Sequence, residues 1–184
     1  MDLFDAKTAV PMHIGAEGPA FDDPGWIFEL KLDGERCLAY LDGRSTVLIN
    51  RRGNRLKDKF PELADLHREV SQRCLLDGEL VITLNGRPDF EEIKRRAFLS
   101  RKVAVDLAAR RFPATFVAFD VLYLHDRTGG GRPLVERKEL LAAAGGESER
   151  LDLARYMETD GGGCFELVGE RGLEGLSAKQ KDRH

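Results

Sequence analysis

Four short stretches of the chain set charge inside apolar strand patterns. The first is KLDGER, Lys31 to Arg36, in the middle of GWIFELKLDGERCLAYLDG. Side chains alternate along a strand, so Glu29, Lys31 and Asp33 would share one face, with neighbours roughly 6.6 Å apart. Trp26, Phe28, Leu30 and Leu32 would share the other. Strand interiors normally exclude Gly, Asp and Lys, and Gly34 would let a ligand or another backbone come close. In LLDGELVI, Asp77 and Glu79 again share a face around Gly78, while Leu76, Leu80 and Ile82 point the other way. FVAFDVLYL carries Phe119 and Asp120 in an apolar run, and LEGLSAK carries Glu174 and Lys179 around another glycine. Charge in such surroundings is costly unless it is paired or bound to a metal. A single acid of this kind reads more readily as a strand-end residue facing water. Four such strands in one chain argue for a shared polar site.

The elements that must position these residues follow from periodicity and punctuation. Residues 26–33 and 35–41 read as strands around Gly34, and TVLIN (46–50) as a third after a turn at LDG. RRGNRLKDK is a basic loop. Pro61 starts a helix with Leu63, Leu66 and Val70 at helical spacing. CLLDGELVITL (74–84) is a strand and NGRPD a turn. Asp89 with Glu92 forms a capping box for a helix through IKRRAF. VAVDLAARR is a second helical piece, and TFVAFDVLYL (115–124) a strongly apolar strand. Pro133 opens a helix through ERKELLAAA that Gly145 closes. LDLARY reads as a strand, CFELVGER as a helix stopped by Gly172, and LEGLSAK (173–179) as the last strand. Gly129–Gly131 and Gly161–Gly163 read as loops. The mixture points to an α+β fold with two largely antiparallel sheets.

Composition sets limits. The chain has 184 residues, enough for one domain with a core. Its 42% hydrophobic and 33% charged residues are ordinary for a globular protein. A net charge of -3 gives no global basic field, so nucleic-acid binding would need a local patch. Lys94, Arg95, Arg96, Arg101, Lys102, Arg110 and Arg111 offer one, with Asp106 opposing them; a charged helix exterior explains them equally. Cys37, Cys74 and Cys164 are far apart and without a CxxC pair, which predicts reduced thiols, as in a cytoplasmic protein. The four histidines form no HExxH, so histidine-held metal is not expected. No stretch approaches the ~20 apolar residues of a membrane span. MDLFDAKTAV lacks a signal peptide's basic and apolar regions. There is no GxGxxG after a strand and no GxxxxGK[ST].

Five motifs in order resemble the catalytic (adenylation) domain of ATP-dependent DNA ligases, within the covalent nucleotidyltransferases that include RNA ligases and mRNA capping enzymes. Lys31-Leu32-Asp33-Gly34-Glu35-Arg36 matches KxDGxR. Asn50-Arg51-Arg52-Gly53-Asn54, followed by KFPEL, is similar to the SRNG loop. Leu76-Asp77-Gly78-Glu79 matches DGE, Phe116 to Leu122 matches FxxFDxL, and Glu174 to Lys179 matches EGxxxK. The likeness runs from about Pro11 to Lys179, and FDDPGWIFELKLDGERC is most similar to bacterial end-joining ligases.

The resemblance implies that Lys31 attacks the α-phosphorus of ATP, releases pyrophosphate and holds AMP as a phosphoramide. It implies a Lys31 pKa lowered by burial and by Arg36, Lys179 and a metal. Mg²⁺ is the expected ion, with Mn²⁺ as an alternative, held by Glu79 and Glu174. Glu29 would read the base, Phe119 would stack on adenine, Arg51 and Arg36 would hold ribose or phosphate, Glu79 would lie near the ribose, and Lys179 would join the nucleotide site. Asp33 would orient its neighbours. From the residues alone, Phe119 reads equally as core, and Arg51 and Arg52 as a solvated loop. By strict alternation Glu174 falls opposite Ser177 and Lys179, so either Glu174 sits in the preceding turn or Gly175 bulges.

The SRNG loop departs from the family at Asn50 and Arg52. The family also places a KxK strand and an oligonucleotide-binding barrel after EGxxxK, whereas this sequence stops at KQKDRH. The expectation is a single adenylation domain over 1–184 that ends before these parts, monomeric, able to bind nucleotide but not to seal nicks alone. The implied partner is nicked or broken double-stranded DNA, with further end-joining or barrel domains in a full-length protein. The alternatives are an RNA ligase, a capping-type enzyme, and a non-catalytic nucleotide or nucleic-acid binder.

Overall fold

Apolar alternation is realised as two sheets, and the polar strands lie where the sheets meet. The computed structural model describes residues 3–9, 11, 15–124, 127–129, 131–145 and 147–184. A short helix α1 (Leu3–Ala6) precedes strands β1 (Trp26–Leu30), β2 (Glu35–Leu41), β3 (Thr46–Asn50), β4 (Cys74–Leu84) and β5 (Arg87–Pro88). Helices α2 (Phe90–Phe98) and α3 (Lys102–Arg111) follow, then β6 (Ala114–Leu124), β7 (Arg127–Thr128), α4 (Leu134–Ala144), β8 (Leu151–Leu153), β9 (Tyr156–Glu158), α5 (Gly161–Glu170) and β10 (Leu176–Gln180).

The larger sheet runs β3-β2-β4-β6-β7, with β5 on β4 and β8 on β6. Its pairs are antiparallel except β6 with β8. The smaller sheet is antiparallel, in the order β10-β1-β9. The architecture is therefore α+β with two largely antiparallel sheets, as expected. The stretch LDLARY is not one strand. Leu151–Leu153 joins the large sheet, and Tyr156–Glu158 joins the small one.

Each face of the large sheet has its own task. Cys37, Ala39, Leu41, Leu48, Cys74, Leu76, Leu80 and Phe116 point into the main core with Phe60, Leu63, Leu66, Ile93 and Leu141. The opposite face carries Leu38, Tyr40, Leu75 and Tyr123 under Phe4 at one end. Further along that same face, the register sets Arg36 beside Glu79 and Leu38 beside Asp77. The sheet thus turns a continuous apolar layer inward and exposes a polar row beside a small apolar cluster.

Three expectations need correction. The segment from Pro61 is two 3₁₀ turns, Pro61–Leu63 and Leu66–Glu69, not an α-helix. Leu63 and Leu66 are three residues apart and both fully buried, a spacing that 3.0 residues per turn serves directly. Val70 then leaves in extended conformation to bridge Gly145. Gly161–Gly163 is not a loop but the first turn of α5, capped by the Asp160 carboxylate, which accepts from Gly163 N at 2.9 Å. A Cβ at Gly161 would lie 2.2 Å from the Phe21 carbonyl oxygen. Finally, β1 ends at Leu30, so Lys31 and Asp33 lie beyond the strand. Within the strand the alternation holds, with Ile27 and Glu29 opposite Lys179 and Ser177 of β10. The Asp89 cap on α2 is as expected, accepting from Glu92 N at 2.8 Å. Part of the Gly129–Gly131 loop lies outside the described residues.

Candidate active site

The site is assembled by glycines and bulges as much as by charged residues. A Cβ at Gly34 would sit 2.2 Å from the Leu80 carbonyl oxygen, and one at Gly78 would sit 2.4 Å from that of Val117 and 2.6 Å from the Phe116 ring. Both glycines admit a neighbouring backbone, which brings the KLDGER turn onto β4 and β4 onto β6. In the β4–β6 ladder, Asp77 faces Asp120 and Gly78 faces Ala118, which leaves Phe119 as the extra residue of a β-bulge. A bulge re-aims a side chain that strict alternation would have sent elsewhere.

Phe119 lies under two cations. The Arg36 guanidinium is 4.3 Å from its ring centroid and the Lys179 ammonium 4.5 Å. Arg36 also donates to both Asp77 oxygens, at 2.6 and 2.8 Å. Burial pushes the Asp77 carboxyl up in spite of that pair. Phe119 is therefore a ring held at the sheet surface by charged groups rather than a core residue.

Glu29 is 3% exposed, and its carboxylate lies between two lysines. Lys179 donates to one oxygen at 2.6 Å, and Lys138 of α4 forms an ion pair with the other. The Lys31 amide, just past β1, donates at 2.9 Å to the carbonyl of Gly175, the residue before β10. Gly175 has φ 153°, which favours glycine. Glu174 therefore sits in the turn before β10, and its carboxylate accepts from the Lys31 ammonium. That resolves the alternation problem, because the strand starts after Glu174.

The expected lowering of the Lys31 pKa is overturned for the nucleotide-free chain. The bond to Glu174 is the main cause of an upward shift, opposed by burial and helped by Asp33 and Glu17. Glu79 behaves differently. Its carboxyl is pushed up to about 8, first by burial, with Arg36 opposing and Glu35, Asp77 and Glu174 reinforcing. Burial and Glu174 likewise raise Asp33. A buried carboxyl among other carboxylates is an environment that favours an added cation. No group of three or more His, Cys, Asp or Glu side chains forms a metal cage among the described residues. Two carboxylates are the donor set that Mg²⁺ takes when substrate phosphates supply further ligands.

A pocket of ≈ 250 Å³ opens beside Lys31, lined by Asp33, Arg87, Leu173 and Glu174 among others. A larger one of ≈ 490 Å³, between Thr83–Asn85 and Arg111–Thr115, lies toward the far end of β4 from Glu79. Arg51 is exposed and has no side-chain hydrogen bond or ion pair among the described residues, so the free chain does not bring it into the cluster. Its loop is nonetheless ordered by Asn50. The side-chain oxygen of Asn50 accepts from the amides of Arg52 and Asn54 at 3.0 and 2.9 Å, and its amide nitrogen donates to Glu35 at 2.8 Å. Asn thus does the loop-closing work at the position where the motif has Ser.

Sequence reasoning missed Arg137 and Lys138. Both are buried, and α4 brings them under the site. Arg137 donates to both Asp120 oxygens, at 2.8 and 3.1 Å, and Lys138 donates to the Phe119 carbonyl at 2.5 Å. Charged residues within a helix read as surface by default, and no local signal marks this pair as buried.

The basic run loses one member to the interior and keeps Arg95, Arg101, Lys102, Arg110 and Arg111 exposed. Arg96 is fully buried and donates to Glu62, to the Lys59 carbonyl and to that of Phe112. Lys94 pairs with Glu91, Arg95 with Glu92 and Lys102 with Asp106, so Asp106 is not the only opposing acid. Cys37, Cys74 and Cys164 are free and buried, and burial pushes Cys74 up to about 12, which removes it as a nucleophile. Among the described residues no helix is long and apolar enough to cross a membrane.

Comparison with known proteins adds a family. A family model described as "ATP dependent DNA ligase domain" matches residues 13–184. DNA ligase C1 of Mycolicibacterium smegmatis is 34% identical over 99% of this chain and 54% of its own length. The SPbeta prophage-derived DNA ligase-like protein LigB of Bacillus subtilis is 31% identical over 92% of this chain and 60% of its own. The chain thus spans somewhat over half the length of these relatives. The solved structure described as "mycobacterial DNA ligase D complexed with ATP and MES" superposes with TM-score 0.80 at 26% identity, over 100% of this chain and 57% of that one.

Proposed function

The chain belongs to the ATP dependent DNA ligase domain family, and from that premise we propose that its cleft binds ATP and that Lys31 takes up AMP for transfer to the 5′-phosphate of nicked double-stranded DNA. The observation that carries the proposal is the convergence on one cleft of Lys31 and Glu174 from one end of the small sheet, where β1 leaves and β10 enters, and of Arg36, Glu79 and Phe119 from the large one. The ATP bound to the similar mycobacterial ligase D structure supports the choice of nucleotide.

In this reading Phe119 stacks on adenine, Glu29 meets its edge, and Arg36 and Lys179 move from the Phe119 ring toward ribose or phosphate. Arg51 joins them from its exposed loop. The Lys31 nitrogen bonds to the α-phosphorus while the bond from that phosphorus to pyrophosphate breaks. The amine must first give up its proton, so Glu174 has to be drawn off Lys31 before attack. Glu79 and Glu174 would hold a Mg²⁺ ion, which would neutralise phosphate charge and lower the basicity around Lys31. Asp77 keeps Arg36 in register, and Asp120 is held in turn by Arg137.

Nick sealing and the additional domains that full ligases carry belong to the same proposal. Incubation with ATP labelled at the α- or the γ-phosphate tests its first step. Label that survives denaturing electrophoresis from the α- but not the γ-position is the expected result. Binding of ATP with no retained α-label would contradict covalent transfer by these residues.

A further inference from the structure

Lys138 is a cation that no step above uses, yet it is 5% exposed. Its ammonium does two things at once. It forms an ion pair with the Glu29 carboxylate of β1, and it donates to the Phe119 carbonyl of β6 at 2.5 Å. One buried lysine on α4 therefore ties the small sheet to the large sheet at the two residues that frame the base slot. Burying an ammonium there is costly, and burial lowers its pKa against the pull of Glu29. A buried pair contributes little net stability against apolar replacements, so its value lies in position.

We infer that Lys138 is a positioning residue for base selection, fixing the Glu29 carboxylate at a set distance from the Phe119 ring so that the slot takes adenine and rejects guanine. This rests on the reading of the cleft as an ATP site. A carboxylate only accepts hydrogen bonds. Adenine offers its 6-amino group as donor, whereas guanine has a carbonyl there and donors at N1 and the 2-amino group. Both purines can thus satisfy a carboxylate that is free to move. Only a carboxylate held in place relative to the stacking ring tells them apart. Lys179 holds the other oxygen of Glu29, but Lys179 is partly exposed and is itself proposed to move toward ribose or phosphate. Lys138 is the fixed anchor of the pair.

The test is the ratio of ATP to GTP affinity, read by calorimetry on the whole chain, with thermal melting as a check of folding. Lys138→Met is expected to weaken ATP about tenfold and to bring the ATP:GTP ratio close to one, through loss of a charge-assisted anchor. Lys138→Arg, which keeps the charge and a donor, is expected to restore most of the preference. Because Lys138→Met leaves Glu29 short of a partner and could fail to fold, Glu29→Gln and Glu29→Gln/Lys138→Met are measured beside it. If Lys138 acts through Glu29, the double variant has the same ratio as Glu29→Gln alone. A Lys138→Met protein that melts lower but keeps the parental ratio overturns the inference, as does a double variant whose ratio falls further than that of Glu29→Gln. A parent chain that binds neither nucleotide contradicts the ATP-site reading instead.

Discussion

Lys31 and Glu174 are 143 residues apart in sequence and joined by an ion pair at the mouth of the cleft. The bond is possible because Lys31 follows β1 directly and Glu174 precedes its partner β10, with the Lys31 amide on the Gly175 carbonyl as the last rung. In the free chain the proposed nucleophile is thus bonded to Glu174, which raises its pKa. Glu174 is also proposed to serve the metal, so nucleotide and ion would arm the lysine as they bind.

A first prediction separates that role from a structural one. The pair is more than a third exposed on the lysine side, and solvent screening limits such pairs to about 0–1 kcal/mol. Glu174→Gln should leave the urea midpoint nearly unchanged while retained α-label falls at least tenfold. A large loss of stability with labelling intact would show that Glu174 is a strut.

The glycines of the two DG motifs are predicted to be steric requirements. Gly34→Ala would place a methyl group 2.2 Å from the Leu80 carbonyl oxygen. Relief of such a clash costs about 1–3 kcal/mol. Gly43, whose added Cβ would meet nothing within 4 Å, is the control, and Gly43→Ala should change stability by no more than about 0.5 kcal/mol. Equal effects at both positions in chemical denaturation would contradict the packing account.

Phe119→Ala removes the ring beneath Arg36 and Lys179. A stacked base is worth roughly 1–3 kcal/mol on an aromatic side chain. ATP affinity should fall between about 5- and 150-fold, with little change in melting temperature because the ring is partly exposed on the sheet surface. Unchanged affinity would place the adenine elsewhere.

Arg96 is predicted to matter to folding and not to DNA. Arg96→Met strands the Glu62 carboxylate in the interior and removes donors from the Lys59 and Phe112 carbonyls. Breaking one side of a buried pair costs about 3–5 kcal/mol. Arg110→Ala, on the exposed side of α3, should not move the denaturation curve. A stable Arg96→Met chain with weakened DNA binding would reverse this assignment.

Much of this was legible in the sequence, for identifiable reasons. Strands β2, β3 and β4 announce themselves by apolar pattern between turns, β6 by its continuous apolar run, and the Asp89 cap by its spacing. Glu29, Lys179, Phe119 and Arg36 form one run of contacts, and Glu174 pairs with Lys31. What stayed hidden depends on tertiary contact. Nothing local shows that Gly161 opens a helix, because what requires glycine there is Phe21 and Phe28 from far upstream. Nothing local shows that Arg96, Arg137 and Lys138 are buried, because their partners lie on other elements. The upward Lys31 shift in the free chain is hidden for the same reason: it is set by Glu174, which the fold, not the spacing, brings alongside.

The most direct measurement is the intact mass of the chain after incubation with ATP and Mg²⁺, beside Lys31→Ala, followed by mapping of the modified peptide. The account predicts an AMP-sized increment on Lys31, stable to base, lost in acid and abolished by chelation of the metal. It predicts no increment in the variant. An increment that persists in Lys31→Ala, or that maps to another residue, would contradict the assignment of Lys31 as the nucleophile.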